Sequence, residues 1–217
     1  MTDKGVKELA GAPASSVTLA VENLAAARGL RLLFEGLSFR VGAGEALELR
    51  GPNGSGKSTL LRILAGLTRQ HAGAVALAGI EDDIARHYLG HSDAVKPAET
   101  ARQQAQFWAS YFGRPPSTAT EALERVGLAQ RVDVPGRGLS AGQKRRLAIT
   151  RLLIDPRPVW LLDEPTAGLD LEGRGLIERL VAEHRATGGL VVAAIHGDGF
   201  ANSRTIDLST LPKPVFA

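Results

Sequence analysis

The distribution of apolar residues along the chain predicts its strands. Residues 17–21 and 37–41 alternate between apolar and polar side chains, as strands with one buried face do. Residues 158–162 and 189–195 are apolar almost throughout, which is typical of strands covered on both faces in a parallel sheet. Two shorter strands are predicted at 46–50 and 73–79. Together these stretches predict an antiparallel β layer near the start of the chain and a mainly parallel sheet.

Apolar residues at helical spacing predict the helices. A helix after residue 56 is predicted from spacings of i, i+3, i+4 and i+7, occupied by Leu60, Ile63, Leu64 and Leu67. Residues 98–112 have near-helical apolar spacing and stop at a Gly-Arg-Pro-Pro run, and 121–126 begins another helix. We predict no strand between 84 and 154 and interpret this segment as a helical lobe inserted into an α/β core.

The predicted lobe carries an aromatic stripe, formed by Phe107, Trp108, Tyr111 and Phe112. Its helical spacing favours packing inside the lobe, and a partner-binding surface is the alternative.

One glycine-rich stretch fits the phosphate-loop pattern G-x-x-x-x-G-K-[ST] at every specified position. It consists of Gly51, Pro52, Asn53, Gly54, Ser55, Gly56, Lys57 and Ser58, followed by Thr59. Its glycines let the backbone turn N–H groups inward around an anion, and Lys57 adds a positive charge for the β- and γ-phosphates. A predicted strand precedes the loop and a helix follows it, so the positive end of the helix dipole faces the bound phosphates. The sequence therefore predicts a nucleotide site, with the Ser58 hydroxyl as a Mg²⁺ ligand.

Polar side chains follow two of the apolar strands at the point where each strand ends. Asp163 and Glu164 end one strand, and His196 ends another. Ligands of open α/β sheets bind at the carboxyl ends of the strands, where the phosphate loop also lies. We therefore expect Lys57, the two carboxylates and the imidazole to lie at the same edge of the sheet. The other histidines lack metal-ligand spacing and are interpreted as ordinary surface or core residues: His71, His87, His91 and His184.

Composition and charge exclude several alternatives. The chain has no cysteine, which excludes disulfides and zinc-thiolate sites. Its 26 Lys+Arg and 23 Asp+Glu leave a net charge of +3, too balanced to favour a nucleic-acid partner. The sequence has no apolar run of about 18 residues, so we expect any membrane contact to be peripheral or through a partner. Residues 1–16 lack the apolar core of a signal peptide and are predicted to be a disordered lead-in.

Ser140 and Gln143 form an S-x-x-Q capping box, which predicts that a helix starts at Ser140.

The motifs of this chain, taken together, resemble those of the nucleotide-binding subunits of ABC transporters, in the same order, from about residue 17 to about residue 207. The matching motifs are the Walker A loop GPNGSGKST, the signature LSAGQ, the Walker B strand VWLLDEP, the D-loop AGLD ending at Asp170, and the H-loop His196. The resemblance implies a P-loop NTPase (RecA-like) core within one ABC ATPase domain over 17–217, with the core at 17–83 and 155–217 and the lobe at 84–154.

The resemblance also implies a role for each matching residue. Lys57 holds the β- and γ-phosphates of ATP and Thr59 contacts the α-phosphate, while Ser58 and Asp163 hold Mg²⁺. Glu164 is the general base, and His196 binds the γ-phosphate. Ser140 and Gly142 meet the ATP of a second subunit, so the implied functional form is a dimer, and Asp170 of the D-loop is a further nucleotide-binding residue.

The chain departs from the family pattern at three places. Arg28 stands where the family places an aromatic residue on adenine, although a guanidinium can also stack on a base. Ser92, or His91 by a shift of one residue, replaces the Q-loop glutamine. Ala141 replaces the second glycine of the signature.

Within the family, ARGLRLLFEGLSF, the stretch 88–91 and LSAGQKRR are most similar to the CcmA group, the ATP-binding subunits of haem exporters in cytochrome c maturation. This similarity implies a polytopic CcmB-like membrane subunit as partner, and a peripheral location on the cytoplasmic face of the inner membrane. No nucleic-acid partner is expected. The alternatives are another ABC exporter, a soluble ABC-type ATPase acting on nucleic acid or ribosomes, and a small-molecule kinase.

Overall fold

The computed structural model describes residues 17–80 and 85–211, which contain two sheets and five α-helices. The strands are β1 (Thr18–Arg28), β2 (Arg31–Gly42), β3 (Ala46–Arg50), β4 (Ala72–Ala78), β5 (Arg86–Leu89), β6 (Val159–Asp163), β7 (Leu190–Ala194) and β8 (Arg204–Asp207). The helices are α1 (Lys57–Leu64), α2 (Ala101–Tyr111), α3 (Pro116–Arg125), α4 (Ala141–Ile154) and α5 (Leu171–Ala186). The predicted lead-in at 1–16 lies outside the described residues.

The two sheets differ in strand direction. β2, β1 and β4 form an antiparallel sheet in that order. The second sheet has the order β5-β6-β7-β3-β8, and all of its neighbouring strands are parallel. The predicted combination of an antiparallel layer and a mainly parallel sheet is therefore confirmed.

Every residue of β6 and β7 is buried, because both faces of the parallel sheet are covered. Val159 and Leu161 of β6 pack into a cluster with α1 and the antiparallel sheet. Trp160 and Leu162 point to the opposite face, into a cluster with residues of α2, α3, α4 and α5. This alternation explains why the two strands are apolar without interruption.

The helix after the phosphate loop is shorter than the apolar spacing predicts. Leu60, Ile63 and Leu64 are buried on α1 as expected, but the helix ends at Leu64. Gly66 has a φ of 73°, a left-handed conformation that commonly ends helices. Leu67 therefore lies beyond the helix with 59% of its surface exposed, and its assignment to the buried helix face is wrong.

The prediction that residues 84–154 contain no strand is wrong, because β5 pairs with β6 at the edge of the parallel sheet. β5 has only four residues, and two of them, Arg86 and Tyr88, are polar and partly exposed. An edge strand this short and polar has little apolar pattern. After it, α2, α3 and α4 pack against one another. The predicted lobe boundary at residue 84 lies outside the described residues.

The aromatic stripe of α2 divides into two pairs. Trp108 and Phe112 are partly buried and pack against the core that contains α3 and α4. Phe107 and Tyr111 remain 47% and 70% exposed.

The longest described helix, α5, has 16 residues, and none of the described helices has the length and hydrophobicity of a membrane span.

Candidate active site

Three neighbouring strands bring the predicted site residues to one edge of the parallel sheet. β7 lies between β6 and β3, and all three run in the same direction. The phosphate loop follows β3, Asp163 is the last residue of β6, and His196 comes two residues after the end of β7. The carboxyl ends of the three strands therefore carry the loop, the acids and the imidazole.

The phosphate loop has the backbone geometry that its glycines predict. Gly51 has a φ of 129°, and a Cβ there would lie 2.9 Å from Ser55 Oγ. Gly56 has a φ of 105° and is the N-cap of α1, without a side-chain cap. A buried Ser55 Oγ without a partner in the described residues lies in the same loop. These unpaired donors at a helix N-terminus are typical of an anion site.

Lys57 is 94% buried, and its ammonium group is held by backbone oxygens of the loop. Its Nζ donates to Gly51 O at 2.7 Å and to Pro52 O at 3.2 Å. Neither contact neutralises its charge, so the ammonium group remains electrostatically suited to a phosphate.

A cavity of about 370 Å³ opens in front of the loop. Its lining combines phosphate-loop residues with others from β1, β2 and two later loops, and consists of Arg28, Leu33, Asn53, Gly54, Gly56, Lys57, Ser58, Thr59, His91 and Glu164. Arg28 therefore lies in the cavity where the family alignment puts an adenine contact.

Ser58, which lines the cavity, contacts the buried Asp163 at the end of β6. Ser58 Oγ donates to Asp163 Oδ1 at 3.1 Å, and Asp163 is only 2% exposed. The neighbouring phenol of Tyr88 has its pKa raised, first by burial and then by the charge of Asp163. A hydroxyl and one carboxylate are oxygen ligands of the kind Mg²⁺ uses together with substrate phosphates, so the residues present fit that ion.

Glu164 lies beside two imidazoles. His196 Nε2 is 3.2 Å from Glu164 Oε1, and His91 Nδ1 is 3.5 Å from Glu164 Oε2. The backbone of Glu164 has a φ of 51°, a left-handed conformation that is uncommon for this residue type. Of the two candidates for the missing glutamine, it is His91 that lines the cavity, and Ser92 is not among the lining residues described.

A buried glutamate holds the loop that follows His196. Glu48 of β3 is 2% exposed and accepts hydrogen bonds from Phe200 N at 2.6 Å and Ser203 Oγ at 2.7 Å. Arg50 pairs with Glu48 and donates from Nη1 to Gly197 O, next to His196. Burial alone would raise the pKa of Glu48, but the hydrogen bonds from Ser203, Arg50 and Phe200 together lower it. Sequence reasoning missed this support, although an acid inside a buried strand indicates a structural partner.

Several predicted nucleotide contacts are not among the residues that line this cavity: Gly51, Pro52 and Ser55 of the phosphate loop, His196, and the more distant Ser140, Gly142 and Asp170. Ser140 caps α4, and its capping box with Gln143 is present as predicted. Asp170 caps α5 by accepting from Gly173 N at 2.8 Å. Gly142 lies beside Leu169 of the loop before Asp170, where a Cβ would be 3.4 Å from Leu169 Cδ2. In a single chain, therefore, Ser140, Gly142 and Asp170 have local structural contacts.

A phosphate loop at a helix N-terminus, with an acidic strand end beside it, defines this chain as a P-loop nucleotide-binding protein. The sequence model of the family described as ABC transporter matches residues 34–167. This chain belongs to the ABC transporter family.

Curated relatives with high identity share one name. The cytochrome c biogenesis ATP-binding export protein CcmA of Paramagnetospirillum magneticum is 48% identical over 195 residues, covering 85% of this chain and 90% of the relative. The proteins of the same name from Rhodopseudomonas palustris and Rhizobium meliloti are each 46% identical, covering 82% and 88% of this chain and 91% and 97% of the relatives.

Solved structures show the same fold. A putative ABC transporter ATP-binding protein from Pyrococcus furiosus superposes with a TM-score of 0.78 at 18% identity, covering 89% of this chain and 98% of that one. An ATP-binding subunit of an ABC transporter superposes with a TM-score of 0.70 at 23% identity, covering 81% of this chain and 78% of that one.

The family match and the curated relatives together show that the chain is the ATP-binding subunit of an ABC transporter, an ABC-type ATPase that works with a membrane partner.

Proposed function

We propose that this ATPase subunit drives an export step of cytochrome c maturation, either haem export or the release of a haem chaperone. The observation that carries this proposal is the identity of 45–48% to several relatives named for cytochrome c biogenesis export. The match extends over more than four fifths of both chains. Phosphate-loop geometry alone supports only ATP binding, so the cargo rests on these relatives.

The phosphate loop binds the triphosphate of ATP in this proposal. Lys57 gives up its hydrogen bonds to the carbonyl oxygens of Gly51 and Pro52 and binds the β- and γ-phosphates instead. The N–H groups at the start of α1 donate hydrogen bonds to the phosphate oxygens. Thr59 contacts the α-phosphate at the inner end of the cavity. Arg28 stacks its planar guanidinium on the adenine.

Ser58 and Asp163 hold Mg²⁺, whose chemistry is to neutralise charge on the phosphate oxygens. The 3.1 Å contact between these two side chains supports this role because it brings their oxygens close together next to the phosphate loop.

Glu164 acts as the general base and accepts a proton from the attacking water. His196, 3.2 Å from one carboxylate oxygen, orients Glu164 and contacts the γ-phosphate. Glu48 and Arg50 hold the loop that carries His196, which restricts the position of the imidazole. This arrangement supports catalysis by positioning, which dominates phosphoryl transfer.

Two copies of the chain form the working unit. Ser140, Gly142 and Asp170 lie at the starts of α4 and α5 and do not line the chain's own cavity in the described structure, which is consistent with a nucleotide contact to a second subunit. A second cavity of about 470 Å³ shares Glu164 with the first, and its lining includes His196, Thr166, Leu171 and Arg174. Leu171 is 87% exposed there, which supports a subunit contact at this face.

The membrane partner is a CcmB-like polytopic subunit, and the complex lies at the cytoplasmic face of the inner membrane. The test is isolation of the native chain from membranes, followed by identification of the copurifying proteins and bound haem. A polytopic subunit together with a haem protein supports the proposal. A polytopic subunit with no link to haem favours another exporter, and copurified RNA, ribosomes or DNA would overturn the transporter assignment.

A further inference from the structure

The guanidinium group of Arg145 joins the start of α4 to the catalytic edge of the sheet. Arg145 is 3% exposed and makes five hydrogen bonds, all to acceptors outside its own helix. A guanidinium has five N–H donors, so the whole donor set of this side chain is used.

Three of the five bonds reach consecutive carbonyl oxygens of the acidic strand end. Nη2 donates to Asp163 O at 2.6 Å and to Glu164 O at 2.9 Å. Nε donates to Pro165 O at 3.2 Å. The main chain on both sides of Glu164 is therefore held by one planar group.

The other two bonds hold the loop that carries His91. Nη1 donates to Gly90 O at 2.8 Å and to Asp93 Oδ1 at 3.0 Å. His91 lies between these two anchor points, and its Nδ1 is 3.5 Å from the Glu164 carboxylate. Arg145 thus fixes the backbone at both ends of the His91–Glu164 contact.

The backbone of Glu164 needs such support because its φ of 51° is unfavourable for a residue with a Cβ. The direction of the Glu164 side chain depends on that backbone conformation. A lysine could not replace Arg145, since an ammonium group has three donors and no fork geometry. The buried charge of Arg145 is balanced by Asp93, which forms an ion pair with it.

We propose that Arg145 is a positioning residue for ATP hydrolysis. It holds the strained main chain of Glu164 and the loop of His91 in fixed positions relative to α4. The inference rests on the general-base role proposed above for Glu164. Arg145 touches neither nucleotide nor metal in this role. A movement of α4 is transmitted through it to the carboxylate and to His91 together.

The test compares Arg145→Lys and Arg145→Gln with Lys144→Gln in the full chain, isolated with its membrane partner. Lys144 is the neighbouring residue on α4 and has no side-chain hydrogen bond or ion pair in the described part of the chain, so its substitution controls for loss of charge. Both Arg145 variants should lower kcat by about 10²-fold, the usual cost of misplacing a reacting group by about 1 Å. Their Kd for ATP should change by less than about threefold, because the phosphate loop is not altered.

A second comparison separates positioning from a general loss of structure. In a Glu164→Gln background, Arg145→Gln should lower kcat by less than about threefold further, since the group that Arg145 positions is already lost. Full additivity, a parallel loss of ATP affinity, or failure of both Arg145 variants to fold would overturn the positioning role. So would near-normal kcat in Arg145→Lys while Glu164→Gln is inactive. Normal turnover of Glu164→Gln itself would instead remove the general-base role and this inference with it.

Discussion

His196 Nε2 lies 3.2 Å from Glu164 Oε1, although 32 residues separate the two in the chain. The contact exists because β6 and β7 are parallel neighbours, so residues just beyond their carboxyl ends meet. Glu164 N also donates to Ala194 O at 3.1 Å, which ties the two strand ends together. The acid and the imidazole are therefore one unit of the site.

Glu164→Gln should lower kcat by about 10²- to 10⁴-fold, the range expected when a general base is lost. ATP binding should persist, because the amide keeps the size of the side chain and the phosphate loop is unchanged. Single-turnover hydrolysis and nucleotide titration measure the two effects. The control is Glu121→Gln on the exposed face of α3, which should behave as the unchanged protein. Turnover near normal in Glu164→Gln would exclude this residue as the base.

Lys57→Ala should raise the Kd for ATP about 10- to 100-fold, since hydrogen bonds to charged groups contribute about 1.5–3 kcal/mol. The substitution also leaves the carbonyls of Gly51 and Pro52 without their donor. Titration with ATP measures the affinity, and Lys144→Ala is the matched control. An unchanged affinity would count against the proposed phosphate cradle.

His91→Ala should lower kcat by about two- to fivefold and leave ATP affinity unchanged. The effect is small because the side chain is 75% exposed, and exposed ion pairs contribute about 0–1 kcal/mol. Ser92→Ala is the neighbouring control and should have no effect. Steady-state kinetics compares the two, and a larger loss in Ser92→Ala would assign the Q-loop role to the serine instead.

The stability of the fold should fall as the pH is lowered from 6.5 towards 4. Burial, opposed by a hydrogen bond to Asp155 O, lowers the pKa of His87 to about 4, and burial lowers that of His184 to about 4 as well. Both values lie below the 6.5 of an unfolded histidine, so the unfolded chain binds more protons in this window. The stabilisation is therefore complete above pH 6.5 and is lost as the pH falls towards 4.

Each histidine should contribute a slope of up to about 1.4 kcal/mol per pH unit. Urea unfolding at pH 7, 6 and 5 measures the free energy of unfolding. His184→Phe keeps an aromatic ring against Trp160, on which His184 stacks at 4.0 Å, and should reduce the slope. His71→Gln, at an exposed position, should leave it unchanged. A flat profile in the unsubstituted protein would contradict the prediction.

The strands and their ends were predictable because burial on both faces leaves a continuous apolar pattern in β6 and β7, with polar residues where each strand stops. The start of α4 was predictable for a local reason, since a capping box needs only four residues. These features depend on residues that are close in the sequence. They place the phosphate loop, Asp163, Glu164 and His196 at one edge without knowledge of the fold.

Other parts of the site depend on contacts that no local pattern encodes. Arg145 looks like a surface charge in a basic run, and only the fold turns it onto the carbonyls of Asp163 and Glu164. The choice between His91 and Ser92 depends on the direction of the chain as it leaves β5. The assignment of Leu67 to the buried helix face was wrong because the helical spacing of apolar residues continues past Gly66, whose backbone conformation ends the helix.

The order of the strands gives His196 a central place. Neighbouring strands are about 4.8 Å apart, so β3 and β6, with β7 between them, lie about 10 Å apart. His196 follows the middle strand and lies 3.2 Å from Glu164, so the imidazole is beside any molecule that contacts both the phosphate loop and Glu164. A change at the phosphate end of a bound nucleotide would therefore alter the surroundings of an imidazole that is anchored, through its loop, to β3.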